Sequence, residues 1–134
     1  MPRYDDSQFS PAAPVAKVTL RVPGDNTAAE AVLLIDSGAD VTLLPQAAAD
    51  VLGIEASAGE VYELVGFDGN ISTSTAVRVD LILGRKTFKG RFLLTNQAWG
   101  VMGRDVLNHL CLVLDGPQQM WEEQKSSSQV RTET

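Results

Sequence analysis

The sequence predicts an all-β domain, a closed barrel or sandwich carrying two short helices. Three observations lead there. Apolar residues recur with period two through most of the chain, as they do in half-buried strands. Turn chemistry separates these runs: Pro23-Gly24-Asp25-Asn26, Asp68-Gly69, Gly84-Arg85-Lys86 and Asp115-Gly116-Pro117 each stand beside an apolar segment. Helix signals are confined to two short stretches, and no internal repeat is visible.

Met1 to Ala13 is polar and broken by proline, which predicts a loose N-terminal arm over residues 1–13. Val18, Leu20 and Val22 then alternate with Lys17, Thr19 and Arg21, a half-buried strand. Ala31 to Ile35 is a short, continuous apolar run with β-branched members, as expected of a strand buried on both faces. Val41 to Leu44 predicts a second buried strand. Pro45 suits the first turn of a helix, Ala47-Ala48-Ala49 propagate it and Gly53 stops it.

Glu60 to Val65 and Ile71 to Leu83 read as the arms of a long hairpin with Asp68-Gly69 at its turn. In the second arm Val77, Val79, Leu81 and Leu83 are expected on the buried face. Thr87 to Leu94 is another strand, followed by a loop at Asn96 to Trp99. A short helix is expected over Arg104 to Leu110, then a last core strand at Leu112-Val113-Leu114, with Met120-Trp121 as one further strand. Gln124 to Thr134 holds three consecutive serines and scattered charge, which predicts a disordered tail over 124–134. The folded domain is thus expected over 14–123.

Composition narrows the function. The chain has 134 residues, with 11 Lys and Arg against 17 Asp and Glu, for a net charge of −6. That length suits one domain. An acidic chain has no basic footprint for nucleic-acid phosphates or anionic lipid, so neither partner is expected. One cysteine, Cys111, excludes a disulfide scaffold within the chain, and one histidine, His109, leaves Cys-plus-His zinc sites without ligands. No apolar run approaches the ~18–20 residues needed to cross a bilayer, and acidic residues and prolines stand where a leader would be apolar. A cytoplasmic protein is expected.

The informative segment is Leu34-Ile35-Asp36-Ser37-Gly38-Ala39-Asp40. A carboxylate closing an apolar strand is a costly placement unless something solvates or uses it. Taken alone, Asp-Ser-Gly also occurs in ordinary turns. A second segment, Val101-Met102-Gly103-Arg104-Asp105, lies about 65 residues downstream and again sets two apolar residues before a glycine and a short helix. Together the two segments resemble the retroviral-type aspartic proteases, the retropepsins. In that family an Asp-Thr/Ser-Gly-Ala loop follows an apolar strand, and an apolar-apolar-Gly segment crosses behind it into a helix. Leu112 to Pro117 looks like the bacterial members. The resemblance spans roughly Val15 to Trp121 and implies a retropepsin-like closed barrel with a flap hairpin, one lobe per chain.

What the resemblance implies follows residue by residue. Asp36 would be the catalytic acid and base, in an active-site loop with Ser37, Gly38 and Ala39. Asp40 and Arg104 would pair to brace the loop. Gly66, Phe67, Asp68, Gly69 and Asn70 would form the flap tip, with Phe67 and Asp68 departing from the glycine-rich flap of viral members. The chain carries one such loop, so activity would require a homodimer that brings two carboxylates together. Two unit charges ~3 Å apart repel by about 5 kcal/mol at an effective dielectric of ~20, so the pair would hold one proton between them. The expected activity is that of an aspartic endopeptidase on extended peptide or protein segments with apolar flanks, needing neither metal nor cofactor. The alternative is a peptide-binding or dimerisation module of the same fold that cleaves weakly or not at all. His109 and Cys111 read as a helix-end side chain and a core thiol rather than a nucleophilic pair. Trp99 and Trp121 read as a core cap and a dimer-surface anchor.

Overall fold

The alternation from Lys17 to Val22 becomes strand β2 (Ala13–Arg21), which turns Ala16, Val18 and Leu20 into the core and Lys17 outward. Its antiparallel neighbour β3 (Ala28–Ile35) buries Ala29, Ala31 and Leu33. The computed structural model describes residues 2–54, 61–65 and 68–125. Among these, β1 (Tyr4–Asp5) precedes β2 and β3; then follow β4 (Leu43–Pro45), α1 (Gln46–Leu52), β5 (Val61–Val65) and β6 (Ile71–Leu83). The chain continues through β7 (Lys86–Thr95), β8 (Gly100–Met102), α2 (Arg104–Leu107), β9 (Cys111–Asp115) and β10 (Met120–Gln124).

Six strands close on themselves in the order β2-β3-β8-β4-β7-β6. The closing seam is the antiparallel contact of β2 with β6, Thr19 opposite Ile82, Leu20 opposite Leu81 and Arg21 opposite Asp80. Closure removes the sheet edges that an open barrel would expose. Two parallel pairings give the barrel its crossings: β3 beside β8, and β4 beside β7. The interior is filled by inward residues of facing strands, among them Leu20, Leu33, Leu44, Val79, Leu81 and Met102, each no more than 1% exposed. The β6 alternation holds as expected, with Val77, Val79, Leu81 and Leu83 buried. Helix α1 begins after Pro45 and stops at Gly53, whose φ of 70° places it in the left-handed region that glycine tolerates.

Several expectations are corrected. The N-terminal segment is not loose: Tyr4 and Asp5 pair with Pro14 and Ala13. Main-chain hydrogen bonds also run from Tyr4 N to Gln119 O (2.8 Å) and from Trp121 N to Pro2 O (3.0 Å). The run Ala31 to Ile35 is buried on one face and only half-covered on the other. The strand expected from Val41 is short, because Val41 is turned to solvent and pairing starts at Leu43. Helix α2 ends at Leu107, with Asn108 as its cap. Leu112-Val113-Leu114 is not a core strand. It belongs to a separate antiparallel pair, β9 with β10, and both Val113 and Leu114 are exposed. Trp121 is buried rather than a surface anchor, and its indole N–H donates to Val15 O at 2.8 Å. Gln124, expected in the tail, closes β10 opposite Cys111. The remainder of the expected tail, residues 126–134, lies outside the described residues.

Candidate active site

Asp36 stands one residue beyond the end of β3, where that strand lies parallel to β8. The pairing does not stop at Ile35, because Asp36 N donates to Met102 O at 3.1 Å. The backbone of the carboxylate-bearing residue is thus fixed to the barrel wall. Past it the chain turns tightly. Ala39 N donates to Asp36 O (3.2 Å), and Gly38 N donates to the Asp36 carboxylate at Oδ1 (2.9 Å). A side chain at Gly38 would bring its Cβ to 3.2 Å from Oδ1, so glycine keeps that amide close to the carboxylate.

The downstream segment braces this loop from behind. Arg104 N donates to Ala39 O at 2.8 Å. The Arg104 guanidinium reaches forward along the loop, with Nη1 donating to Ser37 O (2.7 Å) and Nη2 on Asp40 Oδ1. One planar side chain therefore ties two points of the same loop. The Asp40 side chain is 82% exposed, so the ion pair orients more than it stabilises. Gly103 admits this approach. A Cβ there would fall 2.5 Å from Val41 O and 2.9 Å from Ala39 O, both main-chain atoms.

A second clasp went unread in the sequence. Thr42, 1% exposed, donates its hydroxyl to Asp105 Oδ1 (2.6 Å) and accepts Gly103 N (3.1 Å). Asp105 also accepts Thr42 N at Oδ2 (3.0 Å) and Val106 N at Oδ1 (2.9 Å). The two segments are thereby locked together by charge-assisted hydrogen bonds. The only signal for this pair was an acid in the first turn of a short helix, which by itself reads as a cap.

The structure brings together Asp36, Ser37, Gly38, Ala39, Asp40 and Arg104. The Ser37 side chain is exposed and makes no hydrogen bond among the described residues. Of the expected flap tip, Gly66 and Phe67 lie outside the described residues. Asp68, Gly69 and Asn70 form a turn, with Asn70 N donating to Asp68 Oδ1 (3.0 Å) and Gly69 at a φ of 80°. The arms β5 and β6 pair in register, Val61 opposite Thr75 and Val65 opposite Ile71. His109 and Cys111 share no hydrogen bond among the described residues; the His109 ring lies beside Phe88. Trp99 is half-buried and packs against Phe9 in a tilted pair, ring centroids 4.7 Å apart and planes inclined by 56°. Among the described residues no three His, Cys, Asp or Glu side chains gather as a metal site, and no helix is long and apolar enough to cross a membrane.

No protein-family model matches this chain, and no curated protein matches its sequence. Solved structures do match its shape. A retropepsin-like aspartic protease from Rickettsia conorii superposes with a TM-score of 0.59 at 12% identity, covering 90% of this chain and 86% of the other. The EIAV protease, solved with the inhibitor HBY-793, superposes with a TM-score of 0.56 at 22% identity, covering 78% of this chain and 91% of the other. The chain has the retropepsin-like aspartic protease fold, an all-β barrel with one lobe.

Proposed function

We propose that this chain is an aspartic endopeptidase that works as a homodimer, each copy supplying one Asp36. The observation that carries the reading is the Asp36 loop. In a retropepsin-like fold, a carboxylate closes a barrel strand, and Met102 and Arg104 hold its backbone in place. A single carboxylate cannot serve as acid and base at once, and the sequence supplies one such loop. In the dimer the two carboxylates share a proton. The ionised one takes a proton from a bound water, while the protonated one polarises the scissile carbonyl; the attack forms a tetrahedral intermediate with no covalent bond to the protein. The exposed Ser37 hydroxyl is free to reach the partner's backbone beside it. The hairpin of β5 and β6 would lie over an extended peptide and exclude water.

Cleavage of a mixed peptide library at about pH 5–6 tests this, comparing wild type with Asp36→Asn across a dilution series. Wild type is expected to cut, to lose specific activity on dilution and to keep its circular dichroism throughout. Asp36→Asn is expected to be silent. Cleavage by Asp36→Asn at the wild-type rate would overturn the assignment. Specific activity independent of concentration down to the nanomolar range would overturn the dimer. A folded wild type that binds peptides and cuts none would replace the enzyme with a binding module of the same fold.

A further inference from the structure

The strand that carries the second hairpin arm changes partners partway along. From Leu83 back to Ala76, β6 pairs with β7, and the ladder ends at Ala76 opposite Leu93. From Thr75 to Ile71 it pairs instead with β5. Continued by one residue, the β6–β7 register would put Thr75 opposite Leu94. The main chain of β6 makes no such pair. Leu94 is nonetheless satisfied, by a side chain. The Ser74 hydroxyl donates to Leu94 O at 2.6 Å and accepts Leu94 N at 3.0 Å, with Thr75 O a more distant contact at 3.4 Å. Ser74 is 7% exposed, so these bonds are made out of water. Leu94 also lies opposite Leu44 in the parallel β4–β7 pair, and β4 is the strand that leaves the Asp36 loop.

We propose that Ser74 is the positioning residue of the hairpin: its hydroxyl replaces the missing ladder step and sets the angle at which the arm leaves the barrel. A two-point bond from one oxygen to both polar atoms of one residue permits the main chains to part and still holds the strands at a fixed spacing. The inference rests on the peptidase reading for its consequence, that the arm is held where it can meet an extended substrate, though not for the clasp itself. On that reading, contacts from the arm would fall on substrate main chain away from the reacting atoms. They bind ground state and transition state alike and therefore enter KM more than kcat.

The test uses Ser74→Ala, Ser74→Thr and, as a control for plain core damage, Val79→Ala, which empties space at a fully buried position. Amide hydrogen exchange is measured at Leu94 and along residues 71–75, and peptide cleavage is measured in parallel. Ser74→Ala is expected to speed exchange at Leu94 by about tenfold relative to other barrel amides, since a buried bond to that amide is lost. It should raise KM by about fivefold, the factor that one lost hydrogen bond implies, with kcat within about twofold. Ser74→Thr keeps the hydroxyl and should restore both. Val79→Ala should lower stability without singling out Leu94 or KM.

Unchanged Leu94 protection in Ser74→Ala, or failure of threonine to restore it, overturns the proposal. So does a KM no higher than that of Val79→Ala. If wild type cleaves nothing, the peptidase reading fails by itself, and exchange at Leu94 and residues 71–75 still upholds or overturns the clasp.

Discussion

Thr42→Val is the sharpest probe of what holds the Asp36 loop. The two side chains have nearly the same shape, so the substitution removes a hydroxyl without opening a cavity. In wild type that hydroxyl donates to Asp105 Oδ1 at 2.6 Å and accepts Gly103 N at 3.1 Å, at a residue 1% exposed. Valine deletes a hydrogen bond to a charged group, typically about 1.5–3 kcal/mol, and leaves the Gly103 N–H unsatisfied, typically about 1–3 kcal/mol. The two costs overlap, because Asp105 keeps its bonds from Thr42 N and Val106 N. A net loss of about 3 kcal/mol follows, and at roughly 4 °C per kcal/mol for a chain of this length the Tm should drop by about 12 °C. Urea unfolding followed by tryptophan emission measures it. Protein concentration must be held fixed, because association adds to apparent stability. Thr42→Ser keeps both bonds and should lose only about 1 kcal/mol for the missing methyl. A Thr42→Val protein within about 0.5 kcal/mol of wild type would refute the argument, since the buried hydroxyl would then contribute nothing.

Three further outcomes follow from the same geometry. Gly103→Ala forces a Cβ to 2.5 Å from Val41 O, 2.6 Å from Val41 C and 2.9 Å from Ala39 O, all main chain. It should cost upwards of about 4 kcal/mol in thermal unfolding, whereas Gly116→Ala, which meets nothing within 4 Å, should stay within about 0.5 kcal/mol. Arg104→Lys cannot span Ser37 O and Asp40 together; on the proposed reading it should lower kcat/KM about tenfold while costing under about 1 kcal/mol of stability. Equal losses in both measurements would show a merely structural arginine. Hydrogen bonds from the Ser7 hydroxyl and amide hold the Asp5 carboxyl below the ordinary carboxylate range. A depressed folded-state value means that its contribution is present at neutral pH and fades as pH falls through the acid range. Ser7→Ala should move the Asp5 titration upward when followed by NMR, and an unmoved titration would contradict that cause.

What the sequence revealed and what it hid divide along a physical line. The barrel strands were legible because burial on one face leaves a period-two trace, as in Val77, Val79, Leu81 and Leu83. The turn after Asp36 and the approach of Arg104 to it were legible because each segment is a short contiguous pattern. The docking of the N-terminal segment was not, since it is made by main-chain groups, Tyr4 N to Gln119 O and Trp121 N to Pro2 O, whose carbonyls every residue supplies and whose N–H groups every residue but proline supplies. Thr42 and Asp105 were hidden for another reason. Neither is unusual where it stands, and their meaning lies in a hydrogen bond between residues 63 positions apart. Val113 and Leu114 misled because apolar side chains on a two-stranded hairpin look, in sequence, like core.

These hidden contacts bear on how association and activity are related. Several bonds that shape the Asp36 loop lie within one chain: Met102 O and Arg104 on its backbone, Gly38 N on its carboxylate. The Thr42–Asp105 clasp behind it is also within one chain. On the proposed reading, a partner meets a loop that these bonds already shape. It contributes the second carboxylate to a loop already in place, so little ordering entropy is left to oppose association at the site itself. That separates two effects which a loop folding only on contact would merge. Dilution should abolish cleavage while leaving the barrel intact, and damage to the clasp should weaken the barrel before any partner is met.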